Sequence, residues 1–363
     1  MVIEQLNHLG HRYQEVRFAA WQNSPLNSTT VRIKQELHKR FATSDDDEEE
    51  ESVEMCCRNS LVLLIAAGLL SACHGGGGGG NSEMMPVQFT SFSAVKPSQP
   101  VQASGVSQTV STASLLGGGA VQSTTINAPD TANSSAQMTF GTTAMSAFSF
   151  STPTSSVNFS GLSVQCTPGT GLCRGSSTGS QAVIINPLDQ TAPALMWNYQ
   201  SFGYWLVIGS GSNSVAGAMS FGAPTPVAAI PVMGTATYRG LSGGFYVDQS
   251  GATFVHAAQM QSTVDFGPAR SVAFSTSNTT LSPPNTTAPI SSPALNLTGN
   301  FTITSGSNQF SGPVTTPGGT GTPAMTGTAR GNFYGPTAQE IGGLFSLKGT
   351  GPQTMLGGFG GKQ

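Results

Sequence analysis

The 363-residue chain carries 14 bases and 17 acids, a formal net charge of −3, and only 9% of it is charged, against about 25% in ordinary globular chains. Gly, Ser, Thr, Asn and Pro fill the difference, and the 46 glycines follow no three-residue period, which excludes a collagen-like helix. Eleven of the acids precede Met55, so from Cys73 onward six acids face seven bases; this near-neutral portion lacks the clustered Lys and Arg that nucleic-acid binding requires.

Residues 1–54 read as a mis-assigned extension upstream of a start at Met55, or as a partly helical cytoplasmic leader. Neither carries chemistry. Met55-Cys56-Cys57-Arg58 gives a short basic start, and the apolar run Leu61 to Ala72 is too short for a bilayer span, which needs about 20 residues. It suits the hydrophobic region of a signal peptide, here residues 55–72. Leu70-Ser71-Ala72-Cys73 resembles the lipobox of bacterial lipoproteins. That resemblance implies cleavage before Cys73, diacylation of its thiol and acylation of the new amino group.

Six glycines follow at 75–80, too many for a helix cap. Alternation is weak up to residue 135, so 73–135 reads mainly as a lipid-anchored tether with a root-mean-square reach of about 45 Å, in which short hydrophobic pieces such as Val110 to Leu116 could pair as stray strands. Residues 136–232 read as a smaller β region. Met138 and Phe140, Phe148 and Phe150, and Val157 and Phe159 alternate with polar neighbours, and the aromatic-rich stretch 197–208 suits a strand covered on both faces. Cys166 and Cys173 close a short loop, and exported thiols at this spacing usually pair, so a disulfide is expected.

Residues 233–363 are the most regular. From Leu295 to Ile303 every odd position is apolar or Gly and every even one polar, and Thr253 to Phe266 repeats the pattern. About eight such strands, with turns of Gly, Pro, Asn and Ser and no helical stretch between them, argue for an all-β chain. Its C-terminal part is then an eight-stranded antiparallel up-and-down barrel, in which closure removes exposed edges. Residues 326–348 are expected to form a hairpin around Tyr334-Gly-Pro-Thr337, with Arg330 and Glu340 nearly opposite one another.

Chemical signals are few. Gly240-Leu-Ser-Gly-Gly244 matches G-x-S-x-G, but a nucleophile elbow needs a strand before it and a helix after it. From Cys73 onward there are two scattered histidines, His74 and His256, which cannot complete a zinc set. His256 shares a strand face with Phe254 and Met260. If that face lines the barrel it is a weak candidate to touch haem or a small ligand, and otherwise it is a core histidine. No catalytic set, metal or cofactor is expected.

Gly331-Asn-Phe-Tyr-Gly-Pro-Thr-Ala-Gln-Glu-Ile-Gly-Gly-Leu-Phe345 and the terminal Gly357-Gly-Phe-Gly-Gly-Lys362 resemble the end of the transferrin-binding protein B barrel domain. Tyr199 to Trp205, Phe221 to Pro226 and Met233 to Gly240 are also similar to single-lobe relatives of that family. The resemblance implies a handle domain plus an eight-stranded barrel, lipid-anchored on a Gram-negative outer membrane and exposed at the cell surface. It implies a non-catalytic binder of a host glycoprotein or of an iron or haem carrier, and an outer-membrane receptor or translocon as a further partner. There is room for one lobe where transferrin-binding protein B has two. The alternative is a small-ligand binder that uses the barrel interior as a calyx.

Overall fold

The computed structural model describes residues 85–114, 119–142, 144–209, 213–283 and 288–363. Residues 1–84 lie outside it, and with them the expected signal peptide and acylation site at Cys73, and the glycine run. Two antiparallel sheets account for nearly all the regular structure. The first comprises β1 (Val87–Gln88), β2 (Pro100–Ser114), β3 (Val121–Ile126), β4 (Asp130–Phe140), β5 (Met145–Ser151), β6 (Ser156–Ser160), β7 (Val164–Thr167), β8 (Leu172–Ser177), β9 (Ser180–Ile185), β10 (Gln200–Ile208) and β11 (Asn213–Gly222). Its order is β6-β5-β4-β2-β11-β10-β9-β8-β7, a nearly closed handle. β1, the one parallel member, and β3 both attach to β2.

The second sheet comprises β12 (Thr235–Val247), β13 (Thr253–Asp265), β14 (Ser271–Ser282), β15 (Ile290–Ser291), β16 (Thr298–Ile303), β17 (Gln309–Thr315), β18 (Thr326–Tyr334), β19 (Glu340–Lys348) and β20 (Thr354–Lys362). Pairing of β20 with β12 closes it into an eight-stranded antiparallel barrel, with short β15 capping one end of β14. Fold and closure are those the alternation implies.

The handle begins far earlier than a tether over 73–135 allows. Pro100–Ser114 is a fifteen-residue strand near the centre of the handle, bonded to β4 and β3 on one side and β11 on the other. It was illegible because its side chains are small and covered along most of the strand. Polar Ser107, Gln108, Thr109 and Thr112 are buried together with Val106 and Val110, which erases the period-two contrast. Their polar atoms find partners, for example Ser107 Oγ with Ser134 Oγ at 2.7 Å and Gln108 Nε2 donating to the Asn127 carbonyl at 3.0 Å.

The expected hairpin runs from Thr326 to Lys348, but its five-residue turn sets a register that places Arg330 opposite Leu344, and Glu340 opposite Tyr334. The Arg330–Glu340 pairing is therefore overturned. A turn of different length shifts every cross-strand partner, and the residue types alone do not fix that length.

Candidate functional site

The barrel interior is filled. Phe274, Phe301, Phe310, Phe333, Phe345 and Phe359 point inward and are 0–3% exposed. Their rings interlock at centroid distances of 4.8 Å for Phe274–Phe359, 5.4 Å for Phe310–Phe333 and 5.9 Å for stacked Phe301–Phe310. An eight-stranded barrel has an interior just wide enough for such packing or for one small ligand. Here side chains take the space.

His256 lies in that interior, fully buried, opposite Gly244 on β12. A Cβ added at Gly244 or Gly357 would lie 2.9 or 3.0 Å from His256 Nε2, so these two glycines make room for the imidazole, which also packs 5.7 Å from the Phe345 ring. Burial pulls its pKa down to about 4 and the Leu356 carbonyl opposes that shift, although neither ring nitrogen completes a hydrogen bond. The ring is a neutral core group. Ser242, centre of the G-x-S-x-G match, is a diagonal neighbour of His256 on β12, with strand on both sides of it and its Oγ also without a partner. A serine enclosed in the barrel, with no turn to expose it, is not a nucleophile elbow.

Outside the barrel wall, β12, β19 and β20 carry the handle. Leu241, Phe245, Leu344 and Leu356 pack against Trp197, Phe202, Tyr204 and Ala218. Gln200 from β10 lies over the paired glycines Gly342 and Gly360, whose added Cβ atoms would sit 2.6 and 2.4 Å from its amide. A side chain at either glycine would wedge the two sheets apart. Glu340 fastens one end of this joint: its carboxylate accepts the backbone N–H of Asn198 at 2.5 Å and of Tyr199 at 2.9 Å. It is 3% exposed, and burial raises its pKa to about 6, opposed by those N–H donors, that of Gln200, and Lys362. At the other end Lys348 donates to the Thr124 carbonyl at 3.0 Å and to Thr354 Oγ1 at 3.3 Å, and burial lowers its pKa.

The sequence reading missed Glu340 as the clasp. The only signal was a lone acid in an acid-poor chain, and its partners sit about 140 residues upstream. In the handle Cys166 and Cys173 face each other across β7 and β8 and are disulfide-bonded, with Cα atoms 4.0 Å apart.

The barrel thus has two distinct ends. At the Glu340 end lie the start of β12, the short turns 266–270, 304–308 and 335–339, and the handle connections 186–199 and 223–234. The Lys348 end carries the turns 248–252 and 349–353 and the two longest barrel connections, 283–297 and 316–325. Long connections on a rigid scaffold are where binding residues concentrate.

Residues 230–363, which span the barrel, match the family model described as the C-lobe and N-lobe beta barrels of Tf-binding protein B. Among solved structures, the chain is similar to isotype 1 transferrin-binding protein B from serogroup B Neisseria meningitidis, at 19% identity and a TM-score of 0.37, covering 66% of this chain and 52% of that one. A transferrin-binding protein B variant from Haemophilus parasuis Hp5 gives 18% identity and a TM-score of 0.37, covering 64% and 51%. The chain therefore spans about half the length of these relatives. A structure described as a surface lipoprotein gives 16% identity and a TM-score of 0.34, covering 71% and 98%. No curated protein sequence matches the chain.

Proposed function

Residues 230–363 form a transferrin-binding protein B-like barrel, and from that premise we propose that the protein is a surface lipoprotein that captures a host macromolecule without catalysis. Cys73 is its acylation site and the Gram-negative outer membrane its location. Host glycoproteins, transferrin among them, and haem or iron carriers are the partner class, with an outer-membrane receptor or translocon as a further partner. The family match carries this reading. The packed interior supports it too, since it leaves loops and outer faces for a partner and none of the lumen seen here for a haem or small-solute calyx.

The acylation arm predicts that mass spectrometry of the membrane fraction finds no peptide before Cys73, and that Cys73→Ser blocks maturation. Abundant membrane protein still carrying residues 45–51 would end it.

The capture arm predicts that the mature protein retains a serum glycoprotein on a column, and that replacing residues 316–325 with a short Gly-Ser link weakens retention at least tenfold. Because this portion of the chain is near neutral, raising salt from 50 to 500 mM should change affinity by less than about threefold. Retention of haem alone, with no serum protein bound, would favour the calyx reading.

A further inference from the structure

Large apolar side chains are exposed at one end of the molecule far more than at the other. Ten are exposed among the described residues, and only Ile208, on the tip of the β10–β11 hairpin, and Ile290, on β15, lie toward the Lys348 end. Seven of the other eight lie toward the Glu340 end, among them Met85, Leu188, Met196, Val227, Val232 and Met233, and Leu162 sits on the turn between β6 and β7.

Strand directions and hydrogen bonds fix these placements. Val227, Val232 and Met233 belong to the connection between β11 and β12, whose Thr225 donates to the Gly335 carbonyl in the β18–β19 turn. Met196 and Pro193 offer their carbonyls to Lys362 Nζ at 3.3 and 3.2 Å. β1 runs parallel to the start of β2, with Val87 beside Val101, so Met85 lies beyond the Pro100 end of that strand. Val232 and Met233 are 72% and 76% exposed, on a connection whose neighbouring Ile230 is buried in the barrel core. The chain thus packs one apolar residue of this segment and presents two more outward.

Charge follows the same asymmetry. Lys96, Arg239, Arg270 and Lys362 lie toward the Glu340 end. Against these four bases stand three carboxylates: Glu340, buried and in the field of Lys362, Asp189, which accepts the N–H groups of Gly169 and Gly171, and Asp265, which accepts that of Gly267. Toward the Lys348 end, Asp130 and Asp248 face only Lys348, which is tied to Thr124.

We propose that the Glu340 end rests on an anionic lipid surface, inserting Val232, Met233 and their neighbours at the headgroup boundary. The occupant is chosen by where the chain enters. Met85 is 12 residues after Cys73, and a chain of that length spans at most about 42 Å. The inference therefore rests on the acylated Cys73 of the preceding reading. Exposed apolar residues beside basic ones form an interfacial surface, which would set the orientation of a domain held a short length of chain from its anchor. The long connections 283–297 and 316–325 would then face away from the membrane, toward a partner.

The test uses the chain from residue 73 onward with Cys73→Ser, so that no acyl group contributes. It should sediment with vesicles of phosphatidylglycerol and phosphatidylethanolamine, and at least fivefold less with phosphatidylcholine alone. The double variant Val232→Asp, Met233→Asp should lower binding at least tenfold, whereas Ile208→Asp with Ile290→Asp should leave it unchanged, both with unaltered circular dichroism. Failure of the parent chain to bind, or equal losses in the two double variants, would overturn the proposal. So would a dimer abolished by Val232→Asp, Met233→Asp without vesicle binding, which would assign the patch to a second copy. Mass spectrometry of Cys73 reads the anchor separately, so a failed sedimentation leaves that reading standing and an unmodified Cys73 leaves the sedimentation result standing.

Discussion

Acidification from pH 7 to pH 4 should cost the His256 site about 3 kcal/mol and return about 2 kcal/mol at Glu340, by linkage at about 1.4 kcal/mol per pKa unit. For His256 the folded pKa, about 4, lies below the ordinary 6.5. Folding therefore favours the neutral ring, and that contribution is complete above pH 6.5 and lost as pH falls toward 4. For Glu340 the folded pKa, about 6, lies above the ordinary 4.5. Its contribution is complete below pH 4.5 and lost as pH rises through 6. The wild type should show only the small difference. Urea midpoints at pH 7, 5.5 and 4 separate the two groups: Glu340→Gln should lose stability steeply on acidification, and His256→Leu should gain it. Asp130 and Asp189, both half-buried, have pKa values that hydrogen bonds lower; they titrate alike in all three proteins and cancel in the comparison. Parallel pH profiles for all three would show that neither buried group shifts as described.

Phe310→Ala should destabilise the fold by about 3–5 kcal/mol, the range for truncating a buried aromatic in a core that cannot collapse. Phe310 is 1% exposed, stacked on Phe301 and packed against Phe333 and Phe359. Its ring also occupies space that a side chain at Gly331 would need, 2.4 Å from the added Cβ. Phe310→Leu keeps most of the volume and should cost about 1.5 kcal/mol or less. Chemical denaturation of the three proteins gives the comparison. If both variants cost under about 1 kcal/mol, the lumen tolerates an empty place at its centre and the calyx reading returns.

The barrel was legible because the strands away from the handle have one apolar face. Period-two alternation in stretches such as 253–266 and 295–303 states both the strand and the side that is buried, and turn residues mark the hairpins between them. The same pattern placed His256 with Met260 on one face, where the structure has both side chains inside. What it could not state was whether that face encloses a ligand or a packed core. The answer depends on how far Phe301, Phe310 and Phe359 reach across from strands remote in the chain.

Pro100–Ser114 left no periodic trace, because a strand of small residues covered along most of its length needs no contrast between its faces. Cross-strand register in the β18–β19 hairpin, and with it the partner of Glu340, was set by a five-residue turn and by backbone donors at Asn198 and Tyr199. Local sequence determines which segments become strands and which faces they bury. Which polar group meets which, and at which end the exposed apolar residues gather, is decided only when distant segments are brought together, because those contacts depend on register and closure that no short stretch of sequence contains.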